Sequence, residues 1–92
     1  MSKIFSLSDI EIYKEALKLA NKVYTLTKHP KIKKDYYLIE QLRKASLSVA
    51  VNIAEGYGRK TNKDFSQFLS ISLGSANEMI AYLDFISMEY NI

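Results

Sequence analysis

Gln41-Leu-Arg-Lys-Ala-Ser-Leu-Ser-Val-Ala-Val-Asn-Ile-Ala-Glu-Gly-Tyr-Gly-Arg59 is the stretch whose reading decides the fold. Leu42, Ala45, Val49 and then Asn52 or Ile53 recur at spacings of three and four, which puts them on one stripe of an α-helix. Leu38 extends the stripe backwards, and Asp35 stands where a helix cap belongs. Gly56 and Gly58 both suit a left-handed residue that ends a helix. Beside the stripe runs a polar row, Ser48, Asn52, Glu55 and Arg59, in which Glu55 and Arg59 can pair across one turn. Asn52 or Glu55, if buried, needs hydrogen-bond partners, and Ser75, Glu78 or the amides near Thr61 can supply them. The row, Glu78 included, reads first as a device that fixes helix register and second as a ligand site.

Working outward, Ser8-Asp-Ile-Glu11 is a capping box, with Leu7 and Ile12 at the two staple positions. Ile10, Tyr13, Leu17, Ala20, Tyr24 and Thr27 then follow at helical spacing, widened by Ala16 and Val23. Pro30 ends this helix, because the residue before a proline disfavours the α conformation. Downstream, Thr61-Asn-Lys-Asp64 is a second capping box, and Phe65, Phe68, Leu69, Ser72, Ala76, Met79, Leu83 and Ile86 define a third helix. The spacing predicts helices over about 9–28, 36–57 and 62–89 in a single 92-residue domain. Short connections between long helices imply an all-α, up-down antiparallel bundle with shallow crossing angles.

Composition narrows the functions open to the chain. The absence of cysteine excludes disulfides, thiolate nucleophiles and cysteine-based metal sites. His29 is the one histidine, has no metal-ligand partner nearby, and precedes Pro30 in a basic turn. Gly56-Tyr-Gly58 closes a helix where a phosphate-binding loop would open one after a strand. No catalytic residue, metal ligand or cofactor is therefore expected. With no signal peptide and no membrane span, a cytoplasmic location is the expectation.

The net charge of +3 is unevenly placed. Residues 1–44 hold ten Lys/Arg against five Asp/Glu, and residues 45–92 hold three against five. Lys14, Lys18 and Lys22 form a basic stripe at i, i+4 and i+8 on the first helix, and Lys28, Lys31, Lys33 and Lys34 follow it. Such a cluster reads either as a surface for nucleic-acid phosphates or as a solvated face. Tyr36, Tyr37 and Tyr57 at the helix ends divide in the same way, between stacking on unpaired bases and covering the rim of a core. Gly74 inside the third helix costs about 1 kcal/mol against alanine, so Gly74-Ser-Ala76 is expected to meet a closely approaching helix, inside the bundle or between subunits.

At Gln41-Leu-Arg-Lys-Ala45, Ser48-Val, Asn52-Ile-Ala-Glu-Gly56, Gly58-Arg59, Phe65, Phe68-Leu69, Ile71, Gly74-Ser-Ala76 and Glu78, the chain resembles the 23S rRNA-intervening-sequence proteins. This four-helix-bundle family is related to the accessory variability determinants of diversity-generating retroelements. The segment from Leu7 to Leu26, with Tyr13 at an aromatic position, fits as well. The resemblance implies an antiparallel bundle that assembles into rings, commonly pentamers. It also implies a nucleic acid, and a reverse transcriptase or another protein, as partners. Together with the basic stripe it makes Lys14, Lys18, Lys22, Arg43, Lys44, Arg59 and Lys60 candidate nucleic-acid contacts, of which the signature itself carries Arg43, Lys44 and Arg59.

The family pattern continues into a fourth helix where this sequence stops at Asn91-Ile92. A bundle lacking that wall is expected to expose Phe68, Leu69, Met79 and Leu83, and at about 25 cal/mol per Å² of apolar surface this drives association. The expectation is a non-enzymatic homo-oligomer that binds RNA or DNA backbone, or a naturally longer chain. A protein-interaction scaffold without a nucleic-acid role is the alternative.

Overall fold

The computed structural model describes residues 10–92, which form three α-helices: α1, Glu11–Leu26; α2, Tyr36–Tyr57; and α3, Asn62–Tyr90. Both predicted caps of the later helices are in place. The Asp35 carboxylate accepts the Leu38 amide at 3.2 Å, and the Thr61 hydroxyl accepts the Asp64 amide at 3.1 Å. α1 is shorter than the spacing suggests. Ile10 is extended and caps it without a side-chain bond, while Ser8 and Leu7 of the expected box and staple lie outside the described residues.

Beyond Leu26 the chain turns repeatedly, with the His29 amide on the Leu26 carbonyl at 2.9 Å and the Ile32 amide on the His29 carbonyl at 3.1 Å. These bonds satisfy a turn backbone that helix geometry no longer serves. They also fold Ile32 under the bundle, where it is fully buried.

The helices alternate in direction, and α2 lies in the middle. Val23 of α1 meets Leu38 and Leu42 near the start of α2, while Ala16 meets Val49, Ala50 and Ile53 further along it. On the other side, Ser75 and Ser72 of α3 bond to Ser48 and Val49, and Tyr90 reaches Asp35. α1 and α3 both pack on α2 and approach each other only sparsely. Two clusters result. One, at the α1–α2 turn, unites Val23, Ile32, Leu38, Leu42, Ala45, Met79 and Ile86; the other is Ala16, Val49, Ala50 and Ile53.

Several expectations are corrected here. Neither Gly56 nor Gly58 is left-handed; α2 ends through Gly58 in the right-handed region, its amide on the Ala54 carbonyl at 3.2 Å. Leu17 is exposed, because the inward edge of α1 runs through Ala16, Ala20, Val23 and Thr27, about 100° further round. Met79 is buried, and Phe68, Leu69 and Leu83 are half-buried. The exposed side of α3 instead carries Ile71, Leu73, Ile80, Phe85 and Met88. Spacings of three and four specify a stripe but not its bearing toward the neighbours, so a helix apolar on two sides leaves the choice open.

Candidate functional site

The sparse approach of α1 to α3 leaves an apolar groove between them, with α2 as its floor. The groove has a volume of about 370 Å³ and is walled by Ile12 and Leu19 on α1 and by Leu69, Leu73 and Ala76 on α3, over Val49 and Ile53. Glu15 is its single charged lining residue. Leu73 is 63% exposed there, and Ile80 is exposed on α3 two turns further on, beyond the groove. Burying a Leu or Ile side chain that now stands in water yields roughly 1.5–3 kcal/mol when complete, so this wall favours contact with another apolar helix.

The seven candidate cations do not form one surface. Lys14 pairs with Glu11 and Lys18 with Glu15, each at 3.3 Å, which cancels charge along the stripe. Such exposed pairs contribute at most about 1 kcal/mol, and a phosphate could replace them. Arg59 is held at the α2–α3 turn, bonded to Glu55 at 2.6 Å with its guanidinium 4.8 Å from the Phe68 ring centroid. Lys22, Lys44 and Lys60 are exposed and make no ion pair among the described residues. Arg43 is half-buried, stacked 4.4 Å from the Tyr24 ring centroid, with Nε donating to the Thr27 hydroxyl at 2.9 Å. Arg43 and Lys44, adjacent in sequence, share a shallow groove of about 500 Å³ with Tyr24 and Tyr36, and Arg59 and Lys60 line another of about 490 Å³ at the α2–α3 turn.

Of the polar row, Ser48 bonds across to a neighbouring helix and the other members bond within their own. The Ser48 and Ser75 hydroxyls meet at 2.7 Å across α2 and α3, and the Asn52 amide nitrogen donates to the Ser48 carbonyl at 2.8 Å and to its hydroxyl at 2.9 Å. Ser75, expected from the spacing to serve Asn52 or Glu55, has Ser48 as its partner. Glu78 takes a different one, accepting the Tyr82 hydroxyl on its own helix at 3.2 Å. Among the described residues no buried side-chain nitrogen or oxygen lacks a partner. His29 is engaged as well, its Nδ1 accepting the Lys31 amide at 3.0 Å within the turn.

Some determinants escaped the sequence reading. Ser72 donates to the Val49 carbonyl at 2.8 Å inside the core, yet serine at a stripe position signals only a small residue. Gly56 is where α3 crosses α2: a Cβ built there lies 2.7 Å from the Phe68 Cβ and 3.0 Å from Phe65 Cδ1. Gly74, expected to serve that purpose, has nothing within 4 Å of a built Cβ. Tyr57 does cover a rim, meeting the Phe65 ring edge-on at 6.4 Å between centroids. Tyr36 and Tyr37 do not, being 74% and 72% exposed. The Tyr90 phenol is raised above its usual value of 10.0, first by its 2.6 Å bond to Asp35; that of Tyr82 is raised first by desolvation, then by Glu78.

A layer of antiparallel helices with a groove left open along one side defines a class, the all-α helical bundles. Among the described residues no helix is long and apolar enough to cross a membrane, and no group of three or more acidic or histidine side chains could hold a metal. The chain belongs to the 23S rRNA-intervening sequence protein family, whose family model matches residues 8–91. The resemblance seen at Asn52-Ile-Ala-Glu-Gly56 and Gly58-Arg59 thus holds over nearly the whole chain. Comparison with curated proteins and with solved structures gave no match.

Proposed function

We propose that this chain is a non-enzymatic, cytoplasmic assembly module that closes its groove against helices of further copies, in a ring of the kind the family resemblance implies. The observation that carries this reading is the groove itself, with Leu73, Leu19 and Ile12 held in water along its walls. A protomer burying that wall in a partner gains stability by mass action, so its melting temperature rises with concentration. Mass measurement in solution across a dilution series tests it. A defined oligomer that Leu73→Glu dissociates is expected; a folded monomer at high concentration would overturn the reading.

A second reading, binding of RNA or DNA backbone with little base specificity, is favoured by one further observation. Arg43 and Lys44 lie together in an open groove, without acidic ion-pair partners among the described residues. Phosphate neutralisation releases counterions, so affinity for mixed-sequence RNA should fall steeply between low and moderate salt. Affinity independent of salt would leave the chain a protein-interaction scaffold.

A further inference from the structure

We propose that the shallow groove from Tyr36 to Lys44 binds a single-stranded nucleic acid, with Tyr36 as the platform for an unpaired base and Arg43 and Lys44 as phosphate contacts. The proposal rests on the backbone-binding reading and gives it a place and a strand preference.

Tyr36 is the first residue of α2, and its exposure of 74% leaves the ring in water with little packing to hold it there. It borders a groove of about 500 Å³ in which Ile39 and Leu47 offer apolar floor. An aromatic face beside apolar floor suits a flat base, since every base has a π-face and stacking on a side chain contributes roughly 1–3 kcal/mol. In a duplex the bases are already stacked on one another, so the same ring offers a duplex nothing.

The cationic side is arranged in advance. The Thr27 hydroxyl donates to the Tyr24 carbonyl at 2.7 Å, which turns its lone pairs toward Arg43 Nε at 2.9 Å. Nε is thereby used, the guanidinium carbon sits 4.4 Å from the Tyr24 ring centroid, and neither Nη group donates a hydrogen bond among the described residues. A fork held this way loses little freedom on taking a phosphate. Lys44 adds a further positive charge next to it. Glu40 is the one acid lining this groove. Against it stand Lys28, Lys31, Lys33 and Lys34 in the adjoining turn, where the Asp35 carboxylate is occupied by the Leu38 amide and the Tyr90 hydroxyl. The field around Tyr36 is therefore positive.

Fluorescence anisotropy with a short mixed-sequence RNA, as a single strand and as its duplex, provides the test. The single strand should bind more tightly, and Tyr36→Ala should weaken it about tenfold while leaving the duplex unchanged. Tyr36→Phe should keep the affinity, because the ring is retained. Tyr37→Ala should have no effect: Tyr37 is as exposed but lies on the side of α2 toward Tyr82. Lys44→Ala should reduce the salt dependence. Salt-dependent binding that Tyr36→Ala leaves intact, or that Tyr37→Ala weakens equally, would overturn this site and leave backbone binding standing. Binding of neither strand form would overturn both.

Discussion

At the α1–α2 turn, Val23, Ile32, Leu38, Leu42, Met79 and Ile86 close over one another, whereas toward the α2–α3 turn α1 and α3 stand apart above Ala16, Val49, Ala50 and Ile53. The two halves do not differ in apolar content, since Ile12, Leu19, Leu69 and Leu73 give the open half ample side-chain area. They differ in where that area points and in what bridges the outer helices. In the closed half the turn residue Ile32 inserts from below, and branched or long side chains from all three helices fill the interior. In the open half alanines face inward, so α1 settles on α2 while its larger residues flank a space that none of the described residues fills. A sealed core and an open groove have thus been made from one helix pattern by moving bulk from the inward edge to the side.

The largest effect should separate the halves directly. Leu42 is 0% exposed within the closed cluster, so Leu42→Ala leaves a cavity and should cost about 2–5 kcal/mol in urea unfolding. Leu69→Ala in the open half removes the same atoms from a half-buried site and should cost less than half as much. Equal losses would mean that the groove is filled in solution, which is itself a reading of assembly.

Much of this division was hidden in the sequence for a physical reason. The boundaries of α2 and α3 were legible to within a residue, because Asp35 and Thr61 cap them and their stripes are long. Which stripe of α1 faces a neighbour was not, since Leu17 and Ala16 sit one residue apart and only packing decides between them, whereas on α3 the spacing correctly selects Ser72 in place of Leu73. Ile32 lies in a basic turn with no periodicity to mark it. Among the site residues, the Glu55–Arg59 partnership could be read from spacing, whereas Ser75, which the spacing matches to Asn52 or Glu55, bonds instead to Ser48. The neutralisation of Lys14 and Lys18 could have been, because Glu11 and Glu15 precede each by three residues; the hold on Arg43 depends on Thr27 and Tyr24 across a helix pair.

A second, smaller effect concerns the seam that both halves share. Phe68 Cβ is attached to the α3 backbone and cannot swing away, so Gly56→Ala must push α3 off α2 or distort both. Overpacking of this kind costs roughly 1–3 kcal/mol. The denaturation midpoint should fall with the slope against denaturant unchanged. An unaltered midpoint would show that the helices separate freely at this crossing, and that the closed half alone sets the stability.

The smallest effect should have the opposite sign. Gly74 sits in the middle of α3 on the exposed side, where a methyl group meets nothing within 4 Å, so the residue contributes only its conformational freedom. Replacing it by alanine lowers the entropy of the unfolded chain and should stabilise the helix by about 0.5–1 kcal/mol. Thermal melts at low and high protein concentration read this gain and test its origin together. The same gain at both concentrations would confine association to the groove side of α3. A gain that shrinks or reverses as concentration rises would put another molecule against Gly74, and the unsealed surface would then extend around α3 beyond Leu73 and Ile80 to the face carrying Ile71 and Phe85.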